Sequence, residues 1–122
     1  MASILGIGID VVEVDRIAHA LRRPSFLEGC FTEAEQALGE GPEGPRRLAA
    51  RFSAKEATFK ALDFRGGTDR FHDVEVIREE GGVSLRLSGR ALERFESMGA
   101  RSARLSLSHG RDVAVAVVVV EG

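Results

Sequence analysis

The chain has no tryptophan and no tyrosine, so seven phenylalanines must supply the aromatic part of any core. Its single cysteine, Cys30, excludes an intrachain disulfide and makes a reducing, cytoplasmic setting the default expectation. There is no basic excess: 17 Lys and Arg stand against 19 Asp and Glu, for a formal net charge of −2. That balance argues against a nucleic-acid partner, although Arg22-Arg23 and Arg46-Arg47 form local basic patches. The longest apolar run, Val113 to Val120, is far too short to cross a bilayer. Met1 to Ile9 is too short, and lacks the basic start, for a signal peptide. Three scattered histidines beside one cysteine give no zinc spacing.

A length of 122 residues fits one domain, residues 1–122, small enough that burial in an oligomer would help it. Ser3 to Ile9 reads as a buried strand, with Gly6 and Gly8 suggesting a bend or a close backbone approach. Val11 to Arg22 has helical spacing at Val14, Ile17, Ala18 and Leu21, and Pro24 ends it. Thr32-Glu33-Ala34-Glu35 is a capping-box pattern that opens a short helix to Leu38. The Gly- and Pro-rich stretch Gly39 to Pro45 is a loop. The strongest helix follows from Arg46 to Leu62, with Leu48, Phe52, Ala57, Phe59 and Leu62 as its apolar stripe. Asp63 to Arg70 is a loop around Gly66-Gly67.

Val74 to Arg78 and Val83 to Leu87 are strands joined by the Glu79-Glu80-Gly81-Gly82 turn. Ser88 to Met98 is a helix with Gly99 just past its end. Ala103 to Ser108 alternates as a half-exposed strand. After the turn from Ser108 to Asp112, Val113 to Glu121 is apolar enough to be central in a sheet. Helices mixed with adjacent hairpins predict an α+β fold with a small, mainly antiparallel sheet.

Local pattern leaves the functional residues open. Asp10, directly after a strand, suits a metal ligand or a general base, but equally an N-cap for the helix that follows. Glu56 and Lys60 are four apart on one helix face, so Glu56 can hold a hard cation while Lys60 meets a phosphate. The same spacing also describes an ordinary surface ion pair. His109, after Ser106 and Ser108, is either a base or phosphate donor, or an idle loop histidine. Gly6-Ile7-Gly8 lies within a strand and lacks a third glycine, and Gly66-Gly67 follows the long helix. Neither is a dinucleotide or phosphate loop.

Two stretches shift this balance. Gly6-Ile7-Gly8-Ile9-Asp10-Val11-Val12-Glu13-Val14-Asp15-Arg16-Ile17 resembles the N-terminal signature of holo-acyl-carrier-protein synthases. Arg51-Phe52-Ser53-Ala54-Lys55-Glu56-Ala57, followed by Lys60-Ala61, resembles their second signature, in the right order and at a fitting separation. Phe31 to Glu35, Phe71 to Val76 and Leu105 to His109 are similar to further stretches of that family, so the likeness spans nearly the whole chain.

The resemblance implies a small α+β unit that forms a homotrimer, with coenzyme A in clefts between protomers. It implies a magnesium-dependent transfer of 4′-phosphopantetheine from coenzyme A to a serine of an apo acyl carrier protein. By the same resemblance Asp10 and Glu56 match the magnesium ligands and Lys60 a lysine beside the pyrophosphate, these three forming the catalytic set. Arg51, Ser108 and His109 match residues of the coenzyme A cleft, and the loop with Gly66 and Gly67 is expected near its adenosine. Arg16, Arg22 and Arg23 lie where the family's first helix meets the acidic carrier. The run Leu62-Asp63-Phe64-Arg65-Gly66-Gly67-Thr68 departs from the family's usual Gly-Thr-Gly stretch. Two other classes stay in view: a different magnesium enzyme acting on a pyrophosphate, such as a hydrolase, and a non-catalytic oligomer that binds coenzyme A or a carrier.

Overall fold

The computed structural model describes residues 3–64 and 68–122. Its elements are β1 (Ile4–Glu13), α1 (Val14–Ala20), α2 (Pro24–Cys30), α3 (Glu33–Gln36), α4 (Gly44–Ala61), β2 (Val74–Glu79), β3 (Gly82–Leu87), α5 (Gly89–Ser97), β4 (Ser102–His109) and β5 (Val113–Glu121). Single 3-10 turns cover Ala37–Gly39 and Thr68–Asp73. The strands form two antiparallel sheets, one ordered β1-β5-β4 and the other β2-β3. The α+β class and the central place of β5 are thus as the sequence implies.

The first strand is longer than its sequence pattern suggests. Asp10 to Glu13 continue β1 by pairing with Ala116 to Val113 of β5, so α1 begins at Val14 rather than Val11. Ladder pairing along β5 overrides the helical spacing of the same residues. Pro24 does not merely stop α1. It occupies the first turn of a separate helix, α2, where its missing N–H costs nothing. Pro45 does the same for α4, which therefore takes in Gly44. The capping box is present in full: Thr32 Oγ1 accepts from Glu35 N, and Glu35 Oε1 accepts from Thr32 N at 2.9 Å. Part of the expected loop before β2 is the 3-10 turn, and β4 extends to His109, so that residue ends a strand instead of sitting in the turn.

Helix α4 lies across β1 and β5. Gly6 and Gly8 make this possible. A Cβ at Gly6 would stand 1.9 Å from the carbonyl oxygen of Ala61, and one at Gly8 would stand 2.0 Å from that of Ala57. The strand therefore presents glycine to the helix and turns Ile7, Ile9 and Val11 outward, where they are 65%, 58% and 61% exposed. Among the described residues, a strand expected to be buried is thus bare on one face. Val113 of β5 continues that apolar face.

The core between α4 and the sheets is filled by Leu48, Leu62, Phe31, Val74, Val118 and Val120, all essentially buried. Truncating such a leucine to alanine costs about 2–5 kcal/mol. All but Phe95 of the seven phenylalanines join one chain of ring contacts, Phe31–Phe26–Phe52–Phe71–Phe59–Phe64. The aromatic content expected to build the core does so, close to the residues described next.

Candidate active site

Asp10 is a strand residue, paired with Ala116, and not the cap of α1. The N-cap of that helix is Glu13, which makes no side-chain cap bond. Gly8 and Asp10 are two apart and so share the face of β1 that meets α4. From α4, Ser53 Oγ donates to the Asp10 carbonyl oxygen at 2.8 Å, tying strand and helix at this point. Lys60 Nζ donates to Ile9 O at 2.9 Å and to Asp10 Oδ1 at 3.3 Å. Lys60 therefore serves Asp10 rather than only its own helix face. The Asp10 side chain is 15% exposed and that of Lys60 is 55% exposed, so the lysine head stays free to turn toward a ligand.

Asp10, Glu56, Arg16 and Arg23 line one pocket of ≈ 270 Å³, walled by Ile17, Phe26 and Phe52 among others. The structure thus brings together residues from β1, α1, α2 and α4 that lie up to 46 positions apart (Asp10 to Glu56). Burial pushes the Glu56 carboxyl above the usual carboxylate range. The negative charge of Asp10 adds to that rise, and Lys60 opposes it. Two carboxylates that resist sharing a half-buried space form a site short of positive charge. Their donor atoms are hard oxygens, which suit magnesium, and among the described residues no group of three or more His, Cys, Asp or Glu gathers to hold a metal. A cation with two protein oxygens, completed by water and a phosphate, is how magnesium is usually bound. The residues fit that ion.

Other expected residues lie apart from this pocket. Arg51 is buried on α4, donates to Arg47 O at 3.2 Å, and has an Nε without a hydrogen-bond partner. Burial lowers its pKa, Glu35 opposes that, and Arg78 and Arg47 add to it. Arg22 is exposed and outside the pocket, whereas its neighbour Arg23, which lines the pocket, places its guanidinium 5.9 Å from the Phe26 ring centre. Ser108 pairs with Val115, which pairs with Val11, so Ser108 belongs to the outward row of the sheet. His109 pairs with Ala114, which pairs with Val12, in the row that faces α4, and it is exposed. Gly66 and Gly67 lie outside the described residues.

One polar cluster was not anticipated. Lys55 and Glu35 form an ion pair at 2.7 Å with side chains 0% and 1% exposed. Lys55 Nζ also donates to Phe71 O at 2.9 Å and to Val74 O at 2.6 Å, while Glu35 Oε2 accepts from Val76 N at 2.9 Å. A signal existed. Leu48, Phe52, Lys55, Phe59 and Leu62 follow one another at helical spacing, which puts Lys55 on the buried stripe.

Comparison with known proteins agrees with this geometry. Residues 6–118 match the family described as the 4′-phosphopantetheinyl transferase superfamily. A holo-[acyl-carrier-protein] synthase of Solidesulfovibrio magneticus is 48% identical over 124 residues, covering 98% of this chain and 99% of that protein. Its counterpart in Maridesulfovibrio salexigens is 44% identical over 123 residues, covering 97% and 98%. Among solved structures, a holo-(acyl-carrier-protein) synthase from Bacillus anthracis, in complex with CoA (3′,5′-ADP), superposes with a TM-score of 0.78. It is 35% identical, over 97% of this chain and 96% of that one. The enzyme from Helicobacter pylori in complex with coenzyme A gives a TM-score of 0.79 at 31% identity, over 93% and 98%. With its two signatures placed on facing elements, and matched over nearly its full length, the chain belongs to the 4′-phosphopantetheinyl transferase superfamily and, within it, to the holo-[acyl-carrier-protein] synthases.

Proposed function

We propose that the protein transfers 4′-phosphopantetheine from coenzyme A to a serine of an apo acyl carrier protein, yielding the holo carrier and adenosine 3′,5′-bisphosphate. The observation that carries this is the meeting of Asp10 and Glu56 in one pocket, with Lys60 reaching Asp10, in a chain of this family. Asp10 and Glu56 would hold magnesium, which when bound neutralises charge on the pyrophosphate.

In the transfer, the serine oxygen bonds to the phosphorus that carries pantetheine, and the bond from that phosphorus to the adenosine bisphosphate breaks. Lys60, exposed at its head, places its positive charge against the leaving phosphate. The serine proton needs an acceptor. Glu56 suits the task, because burial and the charge of Asp10 raise its carboxyl pKa and so make its carboxylate a stronger base than usual. Arg16 and Arg23 at the rim give an acidic carrier a complementary surface, with Arg22 beside them in sequence. Arg51, Ser108 and His109 would line the coenzyme A cleft and the loop around Gly66-Gly67 its adenosine end. These roles rest on the family likeness.

The bare apolar face of β1 and β5 supports a homotrimer with its active sites at the protomer interfaces. The number three comes from the family likeness. The family likeness implies fatty-acid carriers in the cytoplasm as the default partners, with a polyketide or peptide-assembly carrier as the alternative. Among the described residues no helix is long and apolar enough to cross a membrane.

The deciding experiment is the intact mass of an apo acyl carrier protein incubated with this protein, coenzyme A and magnesium, with and without chelator. A chelator-sensitive gain of one phosphopantetheine supports the proposal. No gain on several carriers, by a folded protein that binds coenzyme A, leaves a binding module instead.

A further inference from the structure

Lys55 and Glu35 take no direct part in that chemistry, yet they are fully buried and Lys55 immediately precedes Glu56. A buried ion pair loses its hydration, and an apolar pair of similar volume is often as stable or more so. What an apolar pair cannot supply is direction. Lys55 has three N–H donors, and each has an acceptor: Glu35 Oε1, Phe71 O and Val74 O. The two carbonyls belong to the segment that leads into β2. Glu35 is itself fixed by Thr32 N and Val76 N. Helix α4 is thereby bonded at this residue to α3 and to the root of β2.

The contact of α4 with β1 packs Ala57 and Ala61 against Gly6 and Gly8 and is tied by Ser53 Oγ to Asp10 O and by Lys60 Nζ to Ile9 O and Asp10 Oδ1. These ties lie on one side of α4, and the Lys55 bonds hold a different side, two residues and about 200° on from Ser53, so that together they fix the rotation of the helix. Successive helix residues point about 100° apart, so rotation of α4 decides whether Glu56 looks toward Asp10. A second link runs through the rings. The Phe71 carbonyl is held by Lys55, and its ring stacks on Phe52 at 5.4 Å and 18°. Phe52 is a wall of the pocket that holds Asp10 and Glu56.

We propose that Lys55, held by Glu35, is a positioning residue for the transfer site: it fixes the rotation of α4 and the Phe71–Phe52 wall so that Glu56 faces Asp10. This rests on the reading of Asp10 and Glu56 as the cation site.

The test compares two variants that both lose stability but differ in whether Lys55 is kept, and it reads metal binding without turnover. Mn²⁺ serves as the probe, its free concentration followed by electron paramagnetic resonance with coenzyme A present. The double variant Lys55→Met/Glu35→Leu removes both charges but leaves Phe71 O, Val74 O, Val76 N and Thr32 N without their partners, so its thermal midpoint falls. It binds Mn²⁺ about tenfold more weakly and loses kcat by a similar factor, as outer residues of metal sites do when removed. Its KM for coenzyme A moves less. The variant Glu35→Gln leaves Lys55 bonded to Phe71 O and Val74 O. It loses thermal stability while its Mn²⁺ affinity stays within about twofold of wild type.

Mn²⁺ affinity that follows thermal stability in both variants overturns the proposal and leaves the pair as core packing only. So does a folded double variant with wild-type Mn²⁺ affinity. Should the double variant not fold, Glu35→Gln decides alone, and a Mn²⁺ affinity that falls with its stability overturns the proposal. A wild-type protein that binds Mn²⁺ but modifies no apo carrier sinks the transferase reading and leaves this one standing. One that binds no Mn²⁺ with coenzyme A present overturns both.

Discussion

Gly8 of β1 lies against Ala57 of α4 so closely that a Cβ on Gly8 would stand 2.0 Å from the Ala57 carbonyl oxygen. Asp10 is two residues beyond Gly8 on the same face of the strand, and Glu56 is the neighbour of Ala57. The helix-to-strand distance therefore sets the separation of the two carboxylates. Gly8→Ala must push the elements apart, because the clash is with backbone and not with a flexible side chain. Overpacking of this kind costs about 1–3 kcal/mol. The expected outcome is a folded but less stable protein that needs more magnesium for half-maximal transfer. A thermal melt with a magnesium titration of the mass-shift assay checks it, and unchanged magnesium demand would show that the spacing is unimportant.

Much of this arrangement was legible in the sequence, and the reasons differ by residue. Thr32 and Glu35 form a capping box because both partners lie within one turn, so local sequence carries all the information. Val113 to Glu121 is central because its residues are apolar on both faces. Val11 to Glu13 read as helix in sequence, because their pairing with Val113 to Val115 joins residues about a hundred positions apart, which no local pattern reveals. The same holds for the tie between Lys60 and Asp10. Within its own helix Lys60 is equally well an ion-pair partner of Glu56, and only the crossing of α4 over β1 assigns it to Asp10. Glu35 shows the limit most clearly. Its capping role was visible, but its second oxygen bonds to Val76 N from an element that begins 39 positions later, at Val74.

Glu56 should make the metal-free protein pH-sensitive. Burial and Asp10 raise its folded pKa above the unfolded value. For a carboxyl shifted in this direction, the contribution to stability is fully present below the unfolded pKa. It is lost as pH rises through the folded one. In chelator, the thermal midpoint should therefore fall as pH rises across that window, and magnesium should reverse the fall by favouring the carboxylate. Glu56→Gln flattens this part of the profile and does not lower the midpoint at neutral pH, while transfer drops about 100-fold or more. Parallel melts with and without magnesium check the sign, and a midpoint that rises with pH in the native protein alone would contradict it.

Lys60→Met tests the exposed lysine. Its bonds to Asp10 Oδ1 and Ile9 O are made at the surface, so stability should change by no more than about 0.5 kcal/mol. A positive charge meant for the leaving phosphate is worth far more in the transition state than in the free protein. Transfer should fall by about 100-fold, mostly in kcat. Steady-state kinetics beside a denaturation curve separate these effects, and a loss of stability matching the loss of turnover would place Lys60 in the fold instead.

Ile9→Glu addresses the outward face of the sheet. Ile9 pairs with Val117, and with Ile7 and Val11 it makes an apolar row that the described residues leave exposed. Exposed patches of this kind mark interaction surfaces on most folded proteins. A glutamate at the centre of the row places a charge where the proposed trimer would exclude water, and an unpaired buried charge is costly enough to prevent assembly. Within one chain, however, the position is open to solvent, and Asp10 and Glu56 lie on the other side of β1. Light scattering should therefore show native protein as a trimer and Ile9→Glu as a smaller, folded species. Because the coenzyme A clefts are proposed to lie between protomers, transfer by that smaller species should fall with the degree of dissociation and recover in part at high protein concentration. A native protein that scatters as a monomer and still transfers would remove the need for a partner at the site, and the apolar row would then have to serve another contact.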